Sequence, residues 1–232
     1  MNLVRSACLA VALSVSSGSV ATAQDFDKGQ AAYEEGDYAT ALQEWRPLAE
    51  QGDAAARYGL GMMYLLGNEV GKDELEGLQL LRLSAEQGHG RAQGQLGYMY
   101  YSGRTVTEDR FKGLEWYRLS AEHGDALSQH TLGLIAQTEE NYIDSVKWNR
   151  LAAEQGRASS QLTLAINYYK GNGVPQDFIQ AYMWFNISSE LGDSLSSLFL
   201  NQISGKMTPA DISQAQAMAR AQECGVVYPQ VS

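Results

Sequence analysis

The chain has 232 residues and a net charge of −10, with 17 Lys and Arg against 27 Asp and Glu. Its basic residues form no cluster, so the counterion release that drives nucleic-acid binding and the pull toward an anionic membrane surface are both disfavoured. Past the N-terminus, no stretch approaches the ~20 apolar residues needed to span a bilayer.

Residues 1–23 read as an export signal. Arg5 is the only charge before Asp25, Ala7 to Val15 is short and apolar, and Ala21-Thr22-Ala23 fits cleavage before Gln24. The mature chain is therefore expected to be soluble and periplasmic or secreted, with no membrane insertion. Without Arg5 it would carry 16 basic against 27 acidic residues, a net charge of −11. Cys8 leaves with the signal and Cys224 becomes the sole thiol, so no internal disulfide is expected and helix packing must supply the stability.

Residues 24–51 read as an N-terminal helix pair, with one helix from about Phe26 to Glu35 and a second from Asp37 to Gln51. From there a short phrase returns. Ala49-Glu50-Gln51-Gly52 recurs as Ala85-Glu86-Gln87-Gly88, Ala121-Glu122-His123-Gly124 and Ala153-Glu154-Gln155-Gly156, then fades to Ser189-Glu190-Leu191-Gly192. The glycines lie 36, 36, 32 and 36 residues apart. A period in the thirties marks stacked helical units, each too small to bury its own apolar face. The units are 52–87, 88–123, 124–155 and 156–191, followed by a partial unit and a capping helix over 192–232.

Numbering each unit from its glycine exposes its design. At offset eight stand Leu60, Leu96, Leu132, Leu164 and Leu200, and at offset nine the small Gly61, Gly97, Gly133 and Ala165. Offsets four, eight and twelve share one face of a helix, here called A. Asp53, Asp125 and Asp193 are its expected N-caps, with His89 and Arg157 in the other two places. A glycine-containing loop leads to helix B, opening at Asp37, Asp73, Asp109, Asn141 and Asp177. Asn141 fits only if the third unit has lost four loop residues, which explains the 32-residue spacing. Helix B carries Leu80, Trp116, Trp148 and Trp184 at one position, with Trp45 one residue off register, and small residues five positions later. Its Arg-then-Glu pairs, such as Arg82/Glu86 and Arg150/Glu154, read as a solvated face. The glycine ending each unit suits a left-handed helix end.

These residues carry a family resemblance. The phrase Ala-Glu-Gln-Gly, then Ala-x-Leu-Gly-x-x-Tyr, then Gly171-Asn172-Gly173-Val174-Pro175-Gln176-Asp177 and a helix-B Trp, resembles the Sel1-like repeat, a relative of the tetratricopeptide repeat. The resemblance runs from about Asp25 to Gly205, and the third unit departs from it most. It implies an all-α, right-handed solenoid of stacked antiparallel helix pairs. It also implies a non-catalytic adaptor that is monomeric and holds a partner protein or peptide, with no cofactor.

Taking offset eight as the core direction, offsets three, six, ten and thirteen point away from it on helix A. The candidates for partner contact are Tyr58, Met62, Arg91, Tyr98, Tyr101, His130, Leu134, Ile166 and Tyr169. Apolar and aromatic side chains on a face that should meet water suit a groove for a peptide or partner helix. The competing reading is that helix A packs on both neighbouring units, which would bury much of this row.

Catalytic signatures are missing. None of the six lysines has a serine three residues before it, although secreted proteins of the Sel1-like type have been linked to β-lactam hydrolysis through such a nucleophile. Gly67 to Lys72 is one residue short of a phosphate loop and lacks its Ser/Thr. His89, His123 and His130 occupy different offsets and read as surface or loop variants, not metal ligands. Two alternatives stay open: a hydrolase acting on cell-wall or β-lactam material, and a glycan-binding module using the tyrosines as a stacking platform.

Overall fold

A computed structural model describes residues 18–223, which contain twelve α-helices and no strand. The helices are α1 (Gly18–Glu35), α2 (Tyr38–Gln51), α3 (Ala54–Leu66), α4 (Glu74–Glu86), α5 (Gly90–Ser102), α6 (Arg110–Glu122), α7 (Ala126–Thr138), α8 (Tyr142–Glu154), α9 (Ala158–Lys170), α10 (Phe178–Glu190), α11 (Ser194–Ser204) and α12 (Pro209–Glu223). Helix A of each unit is odd-numbered and helix B even-numbered. The first helix begins at Gly18 and not near Phe26, because Ala21, Ala23 and Gln24 are good helix formers and no breaker intervenes. Most of the expected export signal, and Cys224, lie outside the described residues. Among those residues, no helix is long and apolar enough to cross a membrane.

The expected caps are in place. Asp37, Asp53, Asp73, Asp109, Asn141, Asp177 and Asp193 each accept a hydrogen bond from a first-turn amide of the helix that follows. Asp125 does so through Ser128, and His89 substitutes its ring Nδ1, which accepts from the Ala92 amide at 3.2 Å. Arg157 makes no such bond. Each unit-ending glycine has positive φ, from 84° at Gly156 to 101° at Gly52. The A-to-B connection runs from Gly103 to Asp109 in the second unit but only from Glu139 to Asn141 in the third, which is the four-residue deletion.

Successive helices pack in order along the chain, making a solenoid of stacked antiparallel pairs, and α12 closes it against α10. The offset-eight leucines Leu60, Leu96, Leu132 and Leu164 are buried, each contributing about 1.5–3 kcal/mol. Offset nine is small because the helices touch there: a Cβ on Gly61 would lie 3.0 Å from the Gly77 carbonyl oxygen, and one on Gly133 only 2.3 Å from Asn149. Trp45 and Trp184 are buried, whereas Trp116 and Trp148 are only half-buried.

Polar side chains stitch unit to unit. Gln93, Gln129 and Gln161, all at offset five, donate to the carbonyls of Ala85, Ala121 and Ala153 at 3.0–3.1 Å. Arg57 donates to Ala49 in the same way. Ser84, Ser120 and Ser188 reach from helix B to the first turn of their own helix A, at Ala54, Gly90 and Ala158. The helix-B arginines are not simply solvated. Arg82 and Arg150 donate to the hydroxyls of Tyr100 and Tyr168 at 3.0 and 2.7 Å.

Candidate partner-binding groove

The odd-numbered helices line a concave groove of about 1150 Å3 that runs from α1 to the start of α7. Its floor comes from Tyr58 and Met62 on α3 and from Arg91 and Tyr98 on α5. The wall at the N-terminal end comes from Phe26 and Tyr33 on α1, held because both rings pack on the buried Trp45, 5.9 and 5.5 Å away. At Gly94 an added Cβ would meet Ser128 Oγ at 2.7 Å, so a side chain there would have to displace that hydroxyl.

Helix starts bring the polar groups to this floor. The His89 ring lies 5.0 Å from the Tyr58 ring while capping α5. Burial lowers the His89 pKa below 6.5, and Arg91 pushes the same way against Asp53 and Asp125. Burial raises the Tyr58 hydroxyl, with Arg91 opposing. Beneath Tyr98 sits Tyr117, whose hydroxyl is pushed up to about 12 by burial. All three groups therefore stay neutral near pH 7, leaving Arg91, Asp125 and Glu34 as the charged side chains of the lining. Neutral rings with polar tips, set around one exposed cation, suit an amphipathic peptide.

Four of the nine sequence candidates meet here: Tyr58, Met62, Arg91 and Tyr98. Tyr98 is 39% exposed, with the Arg104 guanidinium 5.7 Å from its ring centroid. The other five lie elsewhere. Tyr101 packs edge-on to Tyr117, and Tyr169 sits between Phe178 and Phe199 with Lys206 donating to its hydroxyl at 2.8 Å. Offset thirteen lies about 140° round the helix from offset eight, on the flank that meets helix B. Ile166 packs half-buried against the core of the last units, and Leu134 is 43% exposed but lies outside the groove.

His130 is the clearest correction. It is 8% exposed, not a surface variant, with Nδ1 at 3.2 Å from Asn149 Oδ1 and 2.8 Å from Ser160 Oγ. Both contacts fall on the same ring nitrogen, and Ser160 is fully buried. Among the described residues no group of three His, Cys, Asp or Glu could hold a metal ion. Sequence reasoning missed the α1 wall and the offset-five ladder, although recurrence of Gln at that offset was a readable signal.

The Sel1 repeat model matches residues 54–89, 90–125, 130–156 and 158–193, more than half of the chain. The chain belongs to the Sel1 repeat family. Its Sel1 units resemble those of a protective antigen present in uropathogenic Escherichia coli strains displaying an SLR fold. That solved structure is 33% identical with a TM-score of 0.72, over 88% of this chain and 46% of that one. They also resemble a Sel1 repeat protein from Oxalobacter formigenes, 29% identical with a TM-score of 0.68, over 71% of this chain and 49% of that one. The chain thus spans about half the length of these Sel1 proteins. No curated protein matches it.

Proposed function

We propose that this Sel1 repeat protein is an exported, non-catalytic scaffold that binds a partner protein or peptide in its concave groove. The observation that carries this reading is the convergence of Tyr58, Arg91 and Tyr98 from two successive units on one open surface. Residues 1–23 have the pattern of a cleaved signal, which supports placement in the periplasm or outside the cell. Similarity to a protective antigen of uropathogenic E. coli accords with that placement.

The test is crosslinked capture from the native envelope with the wild-type chain and with Arg91→Glu and Tyr98→Ala variants. Loss of one specific crosslinked species, with helicity unchanged, is the expected result. Capture unaltered in both variants removes the groove. Mass spectrometry of the exported chain should find Gln24 as its first residue, and a chromogenic β-lactam should be turned over no faster than in buffer.

A further inference from the structure

Two cations converge on one buried tyrosine in the second unit, outside the groove. Tyr100 is 8% exposed. Arg82 Nη2 donates to its hydroxyl at 3.0 Å. Lys112 holds its ammonium 4.4 Å from the ring centroid. Among the described residues, neither cation has a carboxylate at ion-pair distance. One N–H points at the phenol oxygen and the ammonium stands over the ring.

These groups front an open hollow that Phe111, itself 85% exposed, borders. The two carboxylates of the lining are occupied. Asp109 accepts from the backbone amide of Lys112 at 3.0 Å, and Glu108 pairs with Arg110 at 2.8 Å. With Arg82, Arg110 and Lys112 against Glu108 and Asp109, the hollow carries a net positive charge on a chain of net charge −10. Burial alone would raise the Tyr100 hydroxyl, but the Lys112 and Arg82 cations outweigh it and hold it below 10.0. The fourth unit supplies an internal control. Arg150 bonds Tyr168 in the same way, but Gln180 stands where Lys112 does, and burial raises the Tyr168 hydroxyl.

We propose that this hollow binds a tetrahedral oxyanion ester, phosphate or sulfate, between Arg82, Lys112 and the Tyr100 hydroxyl, with Phe111 against the organic part. A guanidinium fork, an ammonium and a phenol supply donors in several directions, matching an anion with three terminal oxygens. The hollow and the concave groove share no lining residue.

The full chain is titrated at pH 7 and fixed ionic strength with phenyl phosphate, inorganic phosphate and inorganic sulfate, following the ring signals of Tyr100 and Tyr168 by NMR. Saturable shifts at Tyr100 and not at Tyr168 are expected. Lys112→Gln, which recreates the fourth unit's arrangement, should weaken binding about tenfold or more. Phe111→Ala should weaken phenyl phosphate and leave inorganic phosphate unchanged. Tighter phosphate than sulfate assigns a phosphate ester, and the reverse a sulfate ester. No saturable shift with any of the three, equal shifts at both tyrosines, or unchanged affinity in a folded Lys112→Gln chain overturns the proposal.

Discussion

Gln155 donates its side-chain amide to Gln129 Oε1 at 2.8 Å, tying the end of α8 to the start of α7. His123 does the same for Gln93 one unit earlier, at 2.8 Å. The Gln93 nitrogen is committed to the Ala85 carbonyl, so its oxygen faces the ring and His123 donates from Nδ1. In the fourth unit the corresponding position is Leu191, 57% exposed, and the buried Gln161 Oε1 has no partner. Leu191→Gln should supply the missing donor and stabilise the chain by about 1 kcal/mol. A urea midpoint that does not rise would show that solvent already serves Gln161.

Trp45 is wedged between two glycines from different helices. A Cβ on Gly29 would lie 2.5 Å from the indole nitrogen, and one on Gly59 2.6 Å from the ring carbons. The indole also donates to the Phe26 carbonyl at 3.3 Å. Trp45→Ala should cost about 3–5 kcal/mol. Gly59→Ala should cost about 1–3 kcal/mol by overpacking, despite the better helix propensity of alanine. Equilibrium unfolding measures both. An unchanged or raised stability in Gly59→Ala would mean that the tryptophan can yield.

The A-to-B loops hold equivalent residues in the left-handed region: Glu69 at φ 54°, Thr105 at 68° and Gly173 at 71°. That conformation costs a residue with a Cβ roughly 1–2 kcal/mol. Thr105→Gly should therefore stabilise the chain by about 1 kcal/mol, against the extra unfolded-state freedom of glycine. Gly173→Ala should destabilise it by more, because the new Cβ would lie 2.3 Å from the Tyr142 carbonyl oxygen. Melting temperatures moving in opposite directions are the expected readout.

His89 gives the fold an acid sensitivity. Its ring accepts the Ala92 amide proton only while Nδ1 is unprotonated, and burial lowers its folded pKa below 6.5. As pH falls below 6.5, the unfolded chain takes up a proton before the folded one does, so stability drops through that window. His130, also lowered by burial, contributes with the same sign. His89→Asn keeps a cap acceptor and does not titrate, so its denaturation midpoint should fall less between pH 7 and pH 5. Equal slopes for both chains would refute the linkage.

Most of the fold is legible in the sequence because each unit repeats the same requirements: a cap oxygen, an inward leucine, and a small residue where helices cross. Asp73 and Leu96 could be placed by counting alone. The groove is less legible. Its N-terminal wall, Phe26 and Tyr33, precedes the first recurring phrase, so no neighbouring unit vouches for it. Tyr101 and Tyr169 mislead because a helix in a stack has two packed flanks, and offset arithmetic from one core direction sees only the first. His130 misleads for a different reason. Asn149 stands where the other units have Leu81, Tyr117 and Phe185, so the histidine turns inward to meet a polar partner.

That exchange leaves the third unit with Asn149, Ser145 and His130 at its centre, and its apolar cluster is smaller than those on either side. A linear array in which each segment leans only on the next comes apart at its softest joint. A thin apolar centre at α7 and α8 predicts that their amides exchange with solvent ahead of those in the flanking units.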